Sequence, residues 1–83
     1  MQKTLYYLVD RHTGQRLKYY TTLTGARIAQ RSRNYRLGFL TGIERTSIED
    51  NTEAEQCIDP AGHIVTATYC IVEDTVDSPD LID

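Results

Sequence analysis

The arginines near the middle of the chain are the residues best suited to bind another molecule. Arg27 and Arg31 are four residues apart, a spacing that makes them neighbours on one face of a helix. Gln30 and Asn34 widen this predicted polar stripe. Two more arginines lie at or just past the predicted helix end, Arg33 and Arg36. Guanidinium groups in such an array suit carboxylates or phosphates.

Like charges four residues apart repel in an isolated helix, so a counter-charge is expected. Three sources are open: the chain's own acidic half, an acidic patch on a partner protein, and nucleic-acid phosphate. The acids that could serve within the chain are Glu49, Asp50, Glu53, Glu55 and those of the C-terminal segment. The formal net charge of -3 counts against nucleic acid, because domains that bind it are usually strongly basic.

The two signs of charge are separated along the sequence. Positions 1–45 hold all nine Lys and Arg residues and two acids, a net charge of +7. Positions 46–83 hold ten acids and no Lys or Arg, a net charge of −10. Such a division bears on partners and electrostatic steering rather than on fold. It also favours head-to-tail or two-fold association of copies, so a homodimer is one expected assembly.

Tyrosines could extend the basic surface. Tyr6 and Tyr7 alternate faces of a predicted strand, and Tyr19 and Tyr20 do the same on the next, so one of each pair points away from the core. Next to basic residues, an exposed tyrosine suits a protein partner or stacking on bases. Alternatively, these tyrosines only cover the sheet. The predicted partner-binding residues are Arg16, Lys18, Tyr20, Arg27, Arg31, Arg33, Tyr35 and Arg36.

No pattern indicates catalysis, a cofactor or a metal. His12 and His63 sit in or beside predicted turns, and neither has an evident Ser or Cys partner that it could activate as a nucleophile. Cys57 and Asp59 are near His63 in sequence, but a turn scatters their side chains, so no metal site is expected. The chain also lacks a glycine-rich phosphate loop. We therefore expect a protein that acts by binding and is not an enzyme.

Length and hydropathy predict one small cytoplasmic domain. The chain has 83 residues, and no apolar stretch is long enough to cross a bilayer or to act as a signal peptide. Cys57 and Cys70 are expected about 20 Å apart along a predicted hairpin, too far for a disulfide. Both thiols are therefore predicted to be free and largely buried.

Alternation and turn residues predict an α+β fold, a small antiparallel sheet with one helix packed on it in the order ββαβββ. The predicted strands are 4–9, 17–22, 39–48, 54–58 and 64–72, and the predicted helix is 23–34. Turns are expected over 10–14 and 59–62, where Asp opens and Gly closes each segment. Residues 1–73 form the predicted domain, and residues 74–83 form an acidic tail predicted to be mobile.

The helix has predicted caps and a predicted packing face. Thr22 or Thr24 is expected at its start, and Asn34 in a left-handed conformation at its end. The small-residue face predicted to press on the sheet consists of Gly25, Ile28, Ala29 and Ser32.

A small chain with a tyrosine-rich hairpin, one short arginine-bearing helix and an acidic C-terminal segment resembles small phage-encoded accessory proteins, including phage inhibitors of host RNA polymerase and several anti-CRISPR proteins. The resemblance covers the layout from residue 5 to residue 72 and the two-signed charge. It implies a stoichiometric binder that occupies a charged groove on a larger host machine.

The leading hypothesis is a phage or mobile-element protein that inhibits or redirects a host protein complex through charged surfaces. The alternative is a nucleic-acid-binding regulator, in which the arginines of the helix contact phosphate and the acidic tail screens them. A third possibility is an assembly component whose function is the dimer itself.

Overall fold

The chain folds as an antiparallel sheet with one helix laid across it, which confirms the predicted α+β class. The computed structural model describes residues 2–47 and 51–77. The elements are β1 (Gln2–Asp10), β2 (Arg16–Tyr20), α1 (Leu23–Arg36), β3 (Leu40–Ser47), β4 (Thr52–Ile58), β5 (Ile64–Thr66) and β6 (Tyr69–Asp77). The strand order is β2-β1-β6-β4-β3, and β5 pairs with β4. The predicted order ββαβββ is therefore short by one strand.

The N-terminal hairpin is built by its turn residues, as predicted. The Asp10 carboxylate accepts a hydrogen bond from the backbone N–H of His12 at 2.8 Å. Gly14 has a φ of +74°, a left-handed conformation that only glycine adopts without strain from a Cβ atom. In the paired strands, Tyr7 lies opposite Tyr19 and Tyr6 lies opposite Tyr20.

Helix α1 begins where the sequence predicts and ends later. The Thr22 side chain caps it by accepting the Gly25 backbone N–H at 3.1 Å. The helix continues to Arg36, so the prediction that Asn34 is a left-handed cap is wrong. The reversal instead uses Gly38, whose φ is +92°. A Cβ atom on Gly38 would lie 3.1 Å from Pro60 Cγ. The turn over residues 59–62 therefore approaches the backbone at Gly38 too closely for a larger residue to fit without displacing Pro60.

The predicted packing face of α1 is also wrong. The residues buried against the sheet are Ala26, Gln30 and Asn34, whereas Ile28 is 67% exposed and Ser32 is exposed. Two of the three buried residues are polar, so apolar content did not reveal the inward face. Gln30 and Asn34 do not belong to an outer polar stripe with Arg27 and Arg31.

Those two amides bind at an interruption in the sheet. The predicted strand 64–72 is split into β5 and β6, and both segments pair with β4. Between the two paired blocks, β4 contributes two residues, 54–55, whereas the opposite segment contributes four, 67–70. The surplus residues widen the ladder locally, as in a β-bulge, and leave backbone groups without strand partners.

Side chains from two other elements satisfy these backbone groups. Asn34 Oδ1 accepts the Tyr69 N–H at 3.0 Å, and Asn34 Nδ2 donates to the Tyr69 carbonyl at 3.3 Å. Gln30 Nε2 donates to the carbonyls of Tyr69 and Glu53, both at 3.2 Å. From the β1–β2 turn, the Arg11 guanidinium donates to the carbonyls of Thr66 and Ala67. Side-chain hydrogen bonds thus replace the missing strand pairing at the break between β5 and β6.

The core lies on both faces of the sheet. Leu8 and Ile71, which face each other across β1 and β6, are fully buried on the face that carries α1. On the opposite face, Val9, Ala54 and Cys70 form a small buried cluster, with Tyr7 and Val72 packed against it.

Two further predictions concern the cysteines and the tail. Cys57 and Cys70 are both free and buried, as predicted. Strand β6 continues to Asp77 and pairs with β1 as far as Gln2, so four residues of the predicted tail belong to the sheet. Residues 78–83, and Glu49 and Asp50, which were named as possible counter-charges, lie outside the described residues.

The hydrogen bonds that Gln30 and Asn34 make to the sheet predict a large loss of stability when Asn34 is replaced. Asn34→Ala should lower the free energy of unfolding by about 2 kcal/mol, because it leaves the Tyr69 N–H without a partner and removes one of the two amide hydrogen bonds to the Tyr69 carbonyl. Urea denaturation measures this change. Ser32→Ala, on the exposed side of the same helix, is the matched control and should change the stability by less than about 0.5 kcal/mol. Equal effects of both substitutions would contradict the role assigned to Asn34.

Candidate functional site

The outer arginines of α1 are joined to acidic residues of β4. Arg27 makes a two-point contact with Glu53, in which Nε and Nη2 each donate to a separate carboxylate oxygen at 2.8 Å. Arg31 Nε lies 3.6 Å from Glu55 Oε1. Of the three counter-charge sources left open by the sequence, the chain's own acidic half is the one present for both arginines.

Arg45 on β3 links the two carboxylates. Its Nη1 donates to Gln30 Oε1 at 2.9 Å and to Glu53 Oε1 at 3.0 Å. Its Nη2 lies 3.2 Å from Glu55 Oε1. Three guanidinium groups therefore surround two carboxylates, which leaves this cluster one positive charge in excess.

Glu55 is the innermost member of the cluster. It is fully buried, and its Oε1 has no hydrogen-bond partner in the described part of the chain, although two guanidinium groups lie within 4 Å. Oε2 accepts a long hydrogen bond from Asn34 Nδ2 at 3.5 Å. A buried carboxylate is tolerated only when positive charge compensates it. Arg31 and Arg45 supply that charge to Glu55.

These contacts set the pKa of Glu53. The hydrogen bond from Arg27 is the largest influence and holds the pKa of the Glu53 carboxyl below its ordinary value of 4.5. The charges of Arg27 and Arg45 act in the same direction, against the opposing effect of partial burial. The same hydrogen bond raises the pKa of Arg27. Both groups therefore remain charged at neutral pH.

A groove runs beside the outer face of α1, next to this charge cluster. Its volume is about 500 Å³, and its lining residues are Thr24, Arg27, Ile28, Arg31, Ser32, Tyr35 and Arg45. Ile28 and Tyr35, two helical turns apart, are both 67% exposed. The α1 groove, as we name it, thus combines an apolar floor with a rim of three guanidinium groups.

The predicted partner-binding residues do not form one surface. Arg27, Arg31 and Tyr35 line the α1 groove. Arg36 is exposed in the last turn of the helix, and Arg33 lies over the Tyr69 ring with its Cζ 5.8 Å from the ring centroid.

The three predicted residues of β2 lie elsewhere. Arg16 sits over the Tyr7 ring, 4.1 Å from its centroid, and pairs with Asp74 at 3.3 Å. Lys18 lies over the Tyr20 ring at 5.6 Å. A bulge in the pairing of β1 with β2 places Arg16 opposite Val9 and Lys18 opposite Leu8. Because neighbouring residues of β1 point to opposite faces, Arg16 points to the opposite face of the sheet from Lys18 and Tyr20.

Four groove residues were missed by the sequence reasoning, namely Thr24, Ile28, Ser32 and Arg45. Ile28 was assigned to the sheet-facing side, and Arg45 was counted only in the charge total. The exposure of Ile28 could have been inferred from the sequence. Ile28 lies one residue from Arg27 and three from Arg31, so it shares their side of the helix, and charged side chains usually face solvent. Arg45 carried no local signal, because its place beside Gln30 and Glu53 arises from strand pairing.

Within 2–47 and 51–77, no group of three or more His, Cys, Asp and Glu side chains is placed to hold a metal ion. No helix in these ranges is long and apolar enough to span a bilayer.

Comparison with known proteins gives no relative: no protein-family model, curated protein or solved structure matches the chain.

The lowered pKa of Glu53 predicts how stability depends on pH. A carboxyl whose pKa is depressed by folding stabilises the fold above its unfolded pKa, and that contribution is lost as pH falls through the folded value. The free energy of unfolding should therefore decrease as pH falls below 4.5, and Glu53→Gln should flatten this decrease by about 1 kcal/mol, a modest value because solvent screens the half-exposed Arg27.

Urea denaturation at a series of pH values provides the test. Arg27→Gln should flatten the profile less than Glu53→Gln does, because Arg45 still contacts the carboxylate in that variant. A Glu53→Gln profile parallel to that of the parent chain would contradict the assignment.

Proposed function

We propose that this chain is a non-enzymatic binding protein that docks on a partner protein through the α1 groove. The observation that carries the proposal is the pair of exposed side chains, Ile28 and Tyr35, set between guanidinium groups. Protein interfaces commonly place apolar and aromatic anchors at the centre and arginine among the contacts around them. Such a surface suits a partner segment that offers both an apolar side chain and a carboxylate.

The ion pairs of the groove favour protein over nucleic acid as the ligand. Arg27 and Arg31 already contact carboxylates, so a phosphate would have to compete with Glu53 and Glu55. An apolar floor contributes nothing to contacts with a phosphate backbone, which depend on charge. Arg33 and Arg36 remain on the same helix as secondary contacts to an acidic partner.

The resemblance to small phage accessory proteins supplies the biological setting of the proposal. The partner is a host protein complex, and the chain is a phage or mobile-element product that inhibits or redirects it. Docking by a small domain in this way requires no catalytic group and no cofactor.

A matched pair of isoleucines provides the test. Ile28 is 67% exposed in the groove, and Ile64 is 68% exposed on β5, away from it. Tagged forms of the parent chain, Ile28→Ser and Ile64→Ser are used for capture from a bacterial lysate, with and without nuclease treatment. We expect Ile28→Ser to reduce the retained partner at least about tenfold, since it removes a central apolar contact. Ile64→Ser should retain the partner as the parent does.

Two results would contradict the proposal. Equal retention by both serine variants would exclude the α1 groove as the docking surface. Retention that disappears on nuclease treatment would place the nucleic-acid alternative first.

A further inference from the structure

The α1 groove matches the chemistry of one segment of this chain itself. We propose that residues 78–83 of a second copy occupy the groove. This segment contains Asp80-Leu81-Ile82-Asp83, two adjacent apolar residues with an acid on each side. The inference deepens the proposed function, since it names a ligand for the same groove.

The match is one of charge as well as of hydrophobicity. The groove presents Ile28 and Tyr35 as an apolar floor, where Leu81 and Ile82 can be buried. The adjoining cluster holds three guanidinium groups and two carboxylates, and so retains one positive charge in excess. Two aspartates that flank an apolar pair supply the opposite sign on both sides of the floor.

Geometry assigns the segment to a second copy rather than to the same copy. Helix α1 lies along β6, with Asn34 bonded to Tyr69 and with Leu23 and Glu73 lining one cavity. The four residues from Glu73 to Asp77 carry the strand about 13 Å beyond the start of the helix.

The segment would then have to turn back to reach the groove of its own copy. From the level of Leu23, the middle of the floor, between Ile28 and Tyr35, lies about 13 Å further from Asp77 along the helix axis. The outer helix face also stands about 10 Å above the sheet. These displacements combine to about 28 Å. Five residues beyond Asp77, the Ile82 Cα atom can be at most about 18 Å away with the chain fully extended, and contact between side chains adds only about 6 Å.

The segment of one copy and the groove of the other form a closed arrangement. If each copy lends residues 78–83 to its partner, the two contacts are equivalent under a two-fold axis, and no site is left open for further growth. The expected assembly is a dimer whose formation hides the groove. A host partner that binds there then competes with dimerisation.

Sedimentation equilibrium on the purified chain tests this inference without any host partner. Four forms are compared: the parent chain, the chain ending at Asp77, Ile28→Ser and Ile64→Ser. We expect the parent and Ile64→Ser to dimerise with the same dissociation constant. The shortened chain and Ile28→Ser should each raise that constant at least about tenfold. Circular dichroism confirms that each variant is folded.

A synthetic peptide of residues 78–83 identifies the contact. Added to the isotope-labelled chain that ends at Asp77, it should shift the amide NMR signals of Ile28 and Tyr35. A peptide with Asn in place of both aspartates should shift them less, and added salt should weaken the effect.

Three results would overturn the inference. These are a monomeric parent chain, a dimer that survives removal of residues 78–83, and a dimer that survives Ile28→Ser. The host-partner proposal has a separate readout, since the shortened chain should still capture the partner if that proposal holds. Failure of one proposal can thus be told apart from failure of the other.

Discussion

The interruption between β4 and β6 is the constraint on which the rest of the structure depends. Four residues oppose two at this point, and the backbone groups released there cannot be left unpaired in a buried position. Asn34 and Gln30 satisfy them from α1. Because hydrogen bonds are directional, these contacts fix both the rotation of the helix and its height over the sheet.

That rotation determines which helix residues meet solvent. With Ala26, Gln30 and Asn34 turned inward, Ile28 and Tyr35 are turned outward. Arg27 and Arg31 fall at the boundary, within reach of the carboxylates on β4. The exposure of Ile28 and Tyr35 beside the arginines is thus a consequence of the hydrogen bonds that α1 makes to the interrupted sheet. An inward face based on apolar residues would have buried Ile28 and left no groove of this kind.

Charge pairing serves the fold and the surface together. The separation of basic and acidic residues along the sequence is resolved in part when β4 is placed beneath α1, since Glu53 and Glu55 meet three arginines there. The compensation is incomplete by one positive charge. A surface that is mostly neutralised yet still attracts carboxylates can select an acidic, partly apolar segment and bind other anions less well.

Local chemistry in the sequence determined the hairpin turn at Asp10 and Gly14, the Thr22 cap, most strand positions and the α+β class. Turns and caps depend on contacts between residues close along the chain, so residue type alone predicts them. Tertiary structure decided the break in the 64–72 strand, the inward face of α1 and the position of Arg45. Each of these depends on hydrogen bonds or ion pairs between distant segments, which no local pattern of polarity specifies.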